Sequence, residues 1–432
     1  MKNISPRGRN KTLKFLKHLS EGDIIILILY IVIGGEAMVI RERELNWLKE
    51  WKNKDVIKII TGVRRSGKST IMFQYKNWLQ ENGVTDKQII YLNFENMDTI
   101  ELHESTELHK YIKEKTKEDL DYYLLFDEIQ IVNKWEVAIN SLNLDKKIDI
   151  VITGSNAKLL SSELATYLAG RYVSIVVYPF SLRESRIKDS TLILQDYMTF
   201  GGFPGVVGVE NNHSKSTFLN DLLDSVLLKD VMLRNKINNS HLLRALASFI
   251  FQNSGSMFSI RKIANTIKSE LGINSKEETV SIYIEYLKEA YLIYELERYD
   301  LKGRRVFSRN NKFYGVDPGL RTSLTSGGNK DYGHILENLV FLELLRRGYK
   351  LYTGEIEGYE IDFICEKNEE IIYIQVSLSL MDERTREREL RSLEMIEDNY
   401  PKIILSLDTL DFSKSGIKNI NAERFLNGEI DL

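Results

Sequence analysis

The sequence predicts an α/β fold, a parallel sheet with helices on both faces, followed by a helical region and a second, smaller α/β unit. Three observations predict it. Apolar runs at 57–61, 88–94, 122–126, 148–153 and 172–178 alternate with amphipathic stretches, as strands and covering helices do in a parallel sheet. The first run leads directly into Gly62-Val63-Arg64-Arg65-Ser66-Gly67-Lys68-Ser69, which fits G-x-x-x-x-G-K-[ST] between a strand and a helix. At 432 residues the chain is too long for one ordinary core and calls for two to four domains.

The phosphate-cradling pattern organises the rest. Gly62 and Gly67 allow backbone angles closed to other residues. The loop (Gly62, Val63, Arg64, Arg65, Ser66, Gly67, Lys68, Ser69, Thr70) can then aim consecutive N–H groups at phosphate oxygens, reinforced by a helix N-terminus. Lys68 is placed to reach the β- and γ-phosphates of ATP, and Ser69 to ligand Mg²⁺. A helix is expected before the first strand, at 41–52. Another follows the loop at 69–80, where Ile71, Tyr75 and Leu79 recur at helical spacing. A charged amphipathic helix is expected at 102–120.

Composition narrows the reading. Charged residues at 28% and hydrophobic ones at 43% are those of a globular chain. A net charge of −3 creates no overall field for nucleic acid, so any such site is a local patch. The single cysteine, Cys365, excludes an intrachain disulfide framework and a cysteine-based zinc cluster.

Residues 1–37 stand apart. Arg7, Arg9, Lys11, Lys14 and Lys17 precede an apolar run at 24–33 and then Gly34-Gly35-Glu36-Ala37-Met38. The run is shorter than the roughly 20 residues a membrane span needs. It resembles an export signal with a weak small-x-small site, but an ATP-binding loop calls for the cytosol. The expectation is that Met38 is the true start. Residues 1–37 are then an unfolded extension, the protein is cytoplasmic, and no membrane is a partner.

The third strand ends in Asp127-Glu128, the Walker B pattern. Asp127 is expected to hold Mg²⁺ and Glu128 to act as general base toward water. Thr153-Gly154-Ser155-Asn156 ends the fourth strand, where Asn156, or Ser155, can sense the γ-phosphate; both residue types also cap turns well. Arg171, before the fifth strand, is a candidate arginine finger into a neighbouring subunit of a homo-oligomer.

Gly-Val-Arg-Arg-Ser-Gly-Lys-Ser, Leu-Leu-Phe-Asp-Glu-Ile-Gln, Thr-Gly-Ser-Asn-Ala, Ala-Gly-Arg, Tyr-Pro-Phe-Ser and Gly-Gly-Phe-Pro occur in this order. Together they resemble the prokaryotic AAA-type P-loop ATPases whose C-terminal half is a domain of unknown function with a nuclease-like core. The resemblance covers nearly everything from Met38 onward. It implies a P-loop protein of the additional-strand, catalytic-glutamate group, which supports Glu128 as the base.

The ATPase domain is assigned to 38–190 and a helical lid to 191–240, with a tight turn at Gly201–Gly205. Residues 241–326 read as a winged helix: helices at 261–271 and 276–290, then strands at 291–299 and 306–313 flanking a basic turn. Its second helix carries four glutamates, so DNA contact falls to the wing, Lys302, Arg304 and Arg305, with Arg309 and Lys312 beside them. A protein-docking role is the other reading of this region.

Residues 327–432 resemble the restriction-endonuclease-like core. The matching positions are Glu337, Asp362, Gln375 and Ser377. Glu337 and Asp362 fit as metal carboxylates. Gln375 replaces a carboxylate and Ser377 the water-handling lysine, so the resemblance implies at most a weak second metal site and a degenerate nuclease. Arg384 or Arg388 would have to supply the missing cation. The sequence thus predicts an ATP- and Mg²⁺-dependent ATPase acting as a switch or motor on DNA or a partner protein. The alternatives are an ATP-gated metal-dependent nuclease and a nucleotide-dependent binding switch with negligible turnover.

Overall fold

The computed structural model describes residues 31–33, 36–116, 119–160, 170–300, 305–324 and 331–432. Strands β1 (Ile31–Ile33) and β2 (Glu36–Met38) pair as a short antiparallel hairpin. Helix α1 (Glu42–Glu50) then leads to β3 (Ile57–Thr61), buried at every position, as a strand covered on both faces must be.

Helix α2 (Lys68–Glu81) follows the phosphate loop. After it come β4 (Ile89–Asn93), α3 (Ser105–Lys115), β5 (Tyr122–Asp127), α4 (Trp135–Leu142), β6 (Ile148–Gly154) and β7 (Tyr172–Val176). The strands form a five-stranded parallel sheet, ordered β4-β5-β6-β3-β7. Leu124, Phe126 and Ile152 pack toward α3 and α4 on one face. On the other, Ile60, Leu125 and Val151 pack on Ile71, Met72 and Leu79 of α2 and on Leu48 of α1. Helix α3 is shorter than the 102–120 expected. Its last turn closes where the Thr116 hydroxyl donates to the Ile112 carbonyl at 2.9 Å, and Met97–Leu102 forms a separate 3₁₀ turn.

The helical region holds α5 (Leu182–Lys188), capped by a Ser181–Glu184 box, α6 (Leu194–Phe200) and α7 (Asn212–Ser225). Helix α7 runs on into a π-helical stretch, Val226–Leu233, and α8 (Ser240–Gln252) follows. The turn at Gly201–Gly205 lies between α6 and α7 as expected. It is fastened by Asp317, which accepts the Gly202 N–H at 2.7 Å and the Gly319 N–H at 2.8 Å. Next come β8 (Met257–Phe258), α9 (Ile260–Leu271, closed by Gly272 at φ +68°) and α10 (Glu277–Glu289). Strands β9 (Ile293–Asp300) and β10 (Arg305–Gly315) and helix α11 (Pro318–Leu324) complete the region.

The C-terminal part comprises α12 (Tyr332–Arg346), β11 (Lys350–Ile356), β12 (Tyr359–Lys367), β13 (Glu370–Val376), α13 (Glu383–Glu394), β14 (Lys402–Ser406), β15 (Lys418–Asn421) and α14 (Ala422–Leu426). Its strands do not end at residue 327. One eight-stranded sheet runs β15-β14-β13-β12-β11-β9-β10-β8, so residues 241–326 and 327–432 share it. Arg298–Asp300 of β9 pair in parallel with Thr353–Glu355 of β11, and an Arg298–Glu355 ion pair of 2.8 Å secures the join. The hairpin read as a wing is therefore an inner part of this sheet. At its start, Tyr291 donates its hydroxyl to Thr61 Oγ1 of β3 at 2.8 Å, which links the two sheets. Among the described residues no helix is long and apolar enough to cross a membrane.

Candidate functional site

Strand β6 separates β3 from β5, so the C-terminal ends of all three lie side by side. Sites in open α/β sheets form at this edge. Gly62 leaves β3 at φ +141°, and a Cβ there would sit 2.2 Å from the Val177 carbonyl oxygen. No other residue fits that crossing. Gly67, at φ +106°, turns the loop into α2. Lys68 is enclosed, and its Nζ donates to the carbonyls of Gly62 at 3.1 Å and Val63 at 3.2 Å. Burial lowers its pKa although Glu128 and Asp127 pull the other way.

Asp127 is fully buried at the end of β5. Thr153 of β6 donates its hydroxyl to Oδ1, and Tyr91 of β4 donates to Oδ2 at 3.2 Å. Burial raises the Asp127 pKa, while hydrogen bonds from Ser69 and Thr153 oppose the rise. The Ser69 hydroxyl and the Asp127 carboxylate, the two residues expected to hold Mg²⁺, therefore meet. Glu128 adopts a left-handed backbone, φ +56°, which is uncommon outside glycine. Its N–H donates to Thr153 Oγ1 at 3.0 Å, and its carboxylate lies 3.8 Å from Lys68 Nζ and accepts from Gln130. Thr153 thus bridges both acidic residues. Sequence reasoning missed it, although a hydroxyl ending the run Ile-Asp-Ile-Val-Ile-Thr was the signal.

The other expected residues fall less centrally. Asn156 Oδ1 accepts the Lys158 N–H at 2.6 Å, the capping geometry of a turn, and Ser155 lies 3.5 Å from Asp230. Arg64 pairs with Asp230 at 2.9 Å and Glu95 at 3.1 Å, and Arg65 stacks over Phe218. Both loop arginines thus engage protein groups, Asp230 and Phe218 belonging to the helical region. Val63 is buried in the core of the helical region with Phe203, Val226 and Val231. Arg171 immediately precedes β7, where its carbonyl accepts the Ile57 N–H, at the sheet end opposite the loop. It does not join the site of its own chain.

Arg41, which the sequence did not single out, braces the loop. It donates to the Ser66 carbonyl at 3.1 Å and the Tyr178 carbonyl at 3.0 Å and pairs with Glu184 at 2.8 Å. Beside it a cleft of about 520 Å³ runs from Ser69 and Thr70 to Val39, Phe73, Phe180 and Pro204. That volume suits a small-molecule ligand. The residues fit ATP and Mg²⁺: a glycine cradle, an enclosed cation hydrogen-bonded only to backbone carbonyls, and a hydroxyl beside a carboxylate.

A second polar pocket, about 830 Å³, lies over α12, β12 and β13. Glu337 and Asp362 line it, with Lys312 between them. Lys312 Nζ lies 2.8 Å from Glu337 and 3.4 Å from Asp362 and also pairs with Glu360. This corrects the grouping of Lys312 with the surface cations of the wing: the side chain is fully enclosed. Although burial opposes it, Glu337 holds the Lys312 pKa well above its ordinary value. Burial would raise Glu337, but Lys312, His334 and Tyr314 bring it down to about 2. Gln375 accepts the Asp362 N–H at 2.6 Å through the oxygen expected to face a metal. Ser377 donates to the Ser379 carbonyl. Arg388 pairs with Glu389, and both Arg384 and Arg388 lie exposed on α13. Among the described residues no three His, Cys, Asp or Glu side chains group to hold a metal. Lys302 and Arg304 lie outside the described residues, as does the side chain of Arg305.

Residues 54–186 match the family described as AAA domain. Residues 191–331 and 332–425 match two domains of unknown function, DUF8612 and DUF4143. An uncharacterized protein of Haemophilus influenzae is 39% identical over 383 residues, 86% of this chain and 94% of its own. One of Methanocaldococcus jannaschii is 33% identical over 392 residues, 85% of this chain and 84% of its own. Among solved structures, a Walker-type ATPase of Pyrococcus abyssi aligns with a TM-score of 0.48 and 17% identity, covering 66% of this chain and 96% of that one.

Proposed function

The chain belongs to the AAA-type P-loop ATPase family, and from that premise we propose that it binds ATP with Mg²⁺ and hydrolyses it at the Gly62–Thr70 loop. The observation that carries this reading is the meeting of Lys68, Ser69, Asp127, Glu128 and Thr153 at one sheet edge. Loop N–H groups and Lys68 hold the phosphates, and Ser69 and Asp127 hold the metal. Held there, Mg²⁺ would supply neutralisation of phosphate charge. Glu128 takes a proton from the attacking water, and Thr153 fixes the backbone from which Glu128 reaches. The cleft at Val39, Phe73 and Phe180 takes the base.

Nucleotide state has a route outward. Val63 sits in the lid core and Arg64 pairs with Asp230 of the π-helical stretch, which supports a switch or motor coupled to the lid. The object moved is DNA, through Lys302, Arg304 and Arg305, or a partner protein. Arg171 acts on a neighbouring subunit's site in a homo-oligomer, since it lies away from its own. The working compartment is the cytoplasm, where ATP is found.

The test is Glu128→Gln. Nucleotide binding persists, and phosphate release falls about 10²- to 10⁴-fold, the usual worth of a general base. Hydrolysis at the wild-type rate by this variant sinks the assignment.

A further inference from the structure

The second pocket has the outline of a carboxylate metal site and the wrong occupant. Glu337 of α12 and Glu360 and Asp362 of β12 converge from two elements. The point on which they converge is Lys312 Nζ, delivered by β10 from across the sheet. Two of the three are engaged by other groups as well. Tyr314 donates its hydroxyl to Glu337 Oε1 at 2.7 Å, and the Val376 N–H donates to Asp362 Oδ2 at 2.9 Å. Gln375 turns its oxygen to the Asp362 N–H and its amide nitrogen to the Glu360 carbonyl and to Glu389, each at 3.1 Å. A divalent ion here would sit against an enclosed ammonium that already draws on all three carboxylates. The residues present do not fit a metal centre.

We propose that the Lys312 ammonium is the resident cation of this pocket, standing where a divalent metal would be held, so that the wild-type pocket takes up no Mg²⁺. The consequence is specific. Remove the ammonium and three carboxylates are left around a cation-sized space. Hard divalent cations take oxygen ligands at about 2.0–2.6 Å. Glu337 and Asp362, at 2.8 and 3.4 Å from Nζ, need only close in to reach that range. The same ammonium ties β10, which is continuous with the helical region, to α12 and β12. Cation and clasp are one group.

Mn²⁺ is the probe, titrated by electron paramagnetic resonance into nucleotide-free full-length protein. Wild type and Asp362→Asn should bind it alike. Lys312→Met should gain a site roughly tenfold or more tighter than any in wild type. Lys312→Met/Asp362→Asn should lose it again. Wild-type binding that disappears in Asp362→Asn overturns the proposal, and so does a folded Lys312→Met that gains nothing. If Lys312→Met does not fold, the wild-type and Asp362→Asn pair still decides. Equal Mn²⁺ affinity and an equal melting-temperature response to Mn²⁺ uphold the proposal, and a response confined to wild type refutes it.

Discussion

Two enclosed lysines, Lys68 and Lys312, sit at the phosphate loop and in the α12–β12 pocket, and their surroundings push them in opposite directions. Lys68 faces two neutral carbonyls at about 3 Å, with its nearest carboxylate at 3.8 Å, and burial lowers its pKa. Lys312 faces three carboxylates and is held protonated, its pKa well raised. A buried charge left short of counter-ions is costly, and the cost is recovered when an anion arrives. A buried charge already matched has nothing to gain from a ligand. The same side chain therefore marks a phosphate site in one place and a permanent fastening in the other.

Exchange of the two lysines for apolar residues should separate these roles. Lys312→Met leaves its carboxylates buried without a partner and should lower stability by about 3–5 kcal/mol, read by denaturant unfolding. Lys68→Ala should leave unfolding nearly unchanged and weaken ATP binding by about 2–5 kcal/mol, read by fluorescent-nucleotide titration. The comparison breaks if Lys68→Ala destabilises as strongly as Lys312→Met.

Asp317 sharpens it from the acid side, because its donors are backbone N–H groups. Burial lifts its pKa from 3.8 to about 7, with the N–H groups of Gly202 and Gly319 opposing. The folded chain then holds this proton more firmly than the unfolded chain. Its contribution is complete below pH 4 and is lost as pH rises to about 7, by up to about 1.4 kcal/mol per pH unit. Asp317→Asn should flatten that slope, and an unchanged slope would remove Asp317 from the account. The smallest effect is expected at the link between the sheets. Tyr291→Phe deletes the hydroxyl that donates to Thr61 and should cost about 1 kcal/mol in unfolding.

What could be read from the sequence was what is local. A phosphate loop is a run of consecutive backbone groups, so Gly62, Gly67, Lys68 and Ser69 announce themselves by spacing. The inner parallel strands β3, β5 and β6 were legible as apolar runs because both of their faces are covered. Thr153, Arg41 and Asp230 reach the loop from other elements, through strand register and the packing of neighbouring helices, and no spacing along the chain encodes that. Lys312 misled for the same reason. In sequence it belongs to a basic hairpin, whereas in the sheet it lies opposite the α12 and β12 carboxylates. Gln375 and Ser377 were recognised as departures from a metal site, but the cation that replaces the metal came from a strand counted with another domain.

Strand β9, hydrogen-bonded to β10 on one side and to β11 on the other, has a bearing on how the chain can be divided. Sequence similarity changes family at residue 331, while the hydrogen-bonded sheet does not stop there. A cut at that point would leave β9 and β11 each with a bare row of N–H and C=O groups, the kind of edge that recruits foreign strands. Units of inheritance and units of folding thus have different borders in this molecule. A piece that begins at residue 332 inherits half a seam.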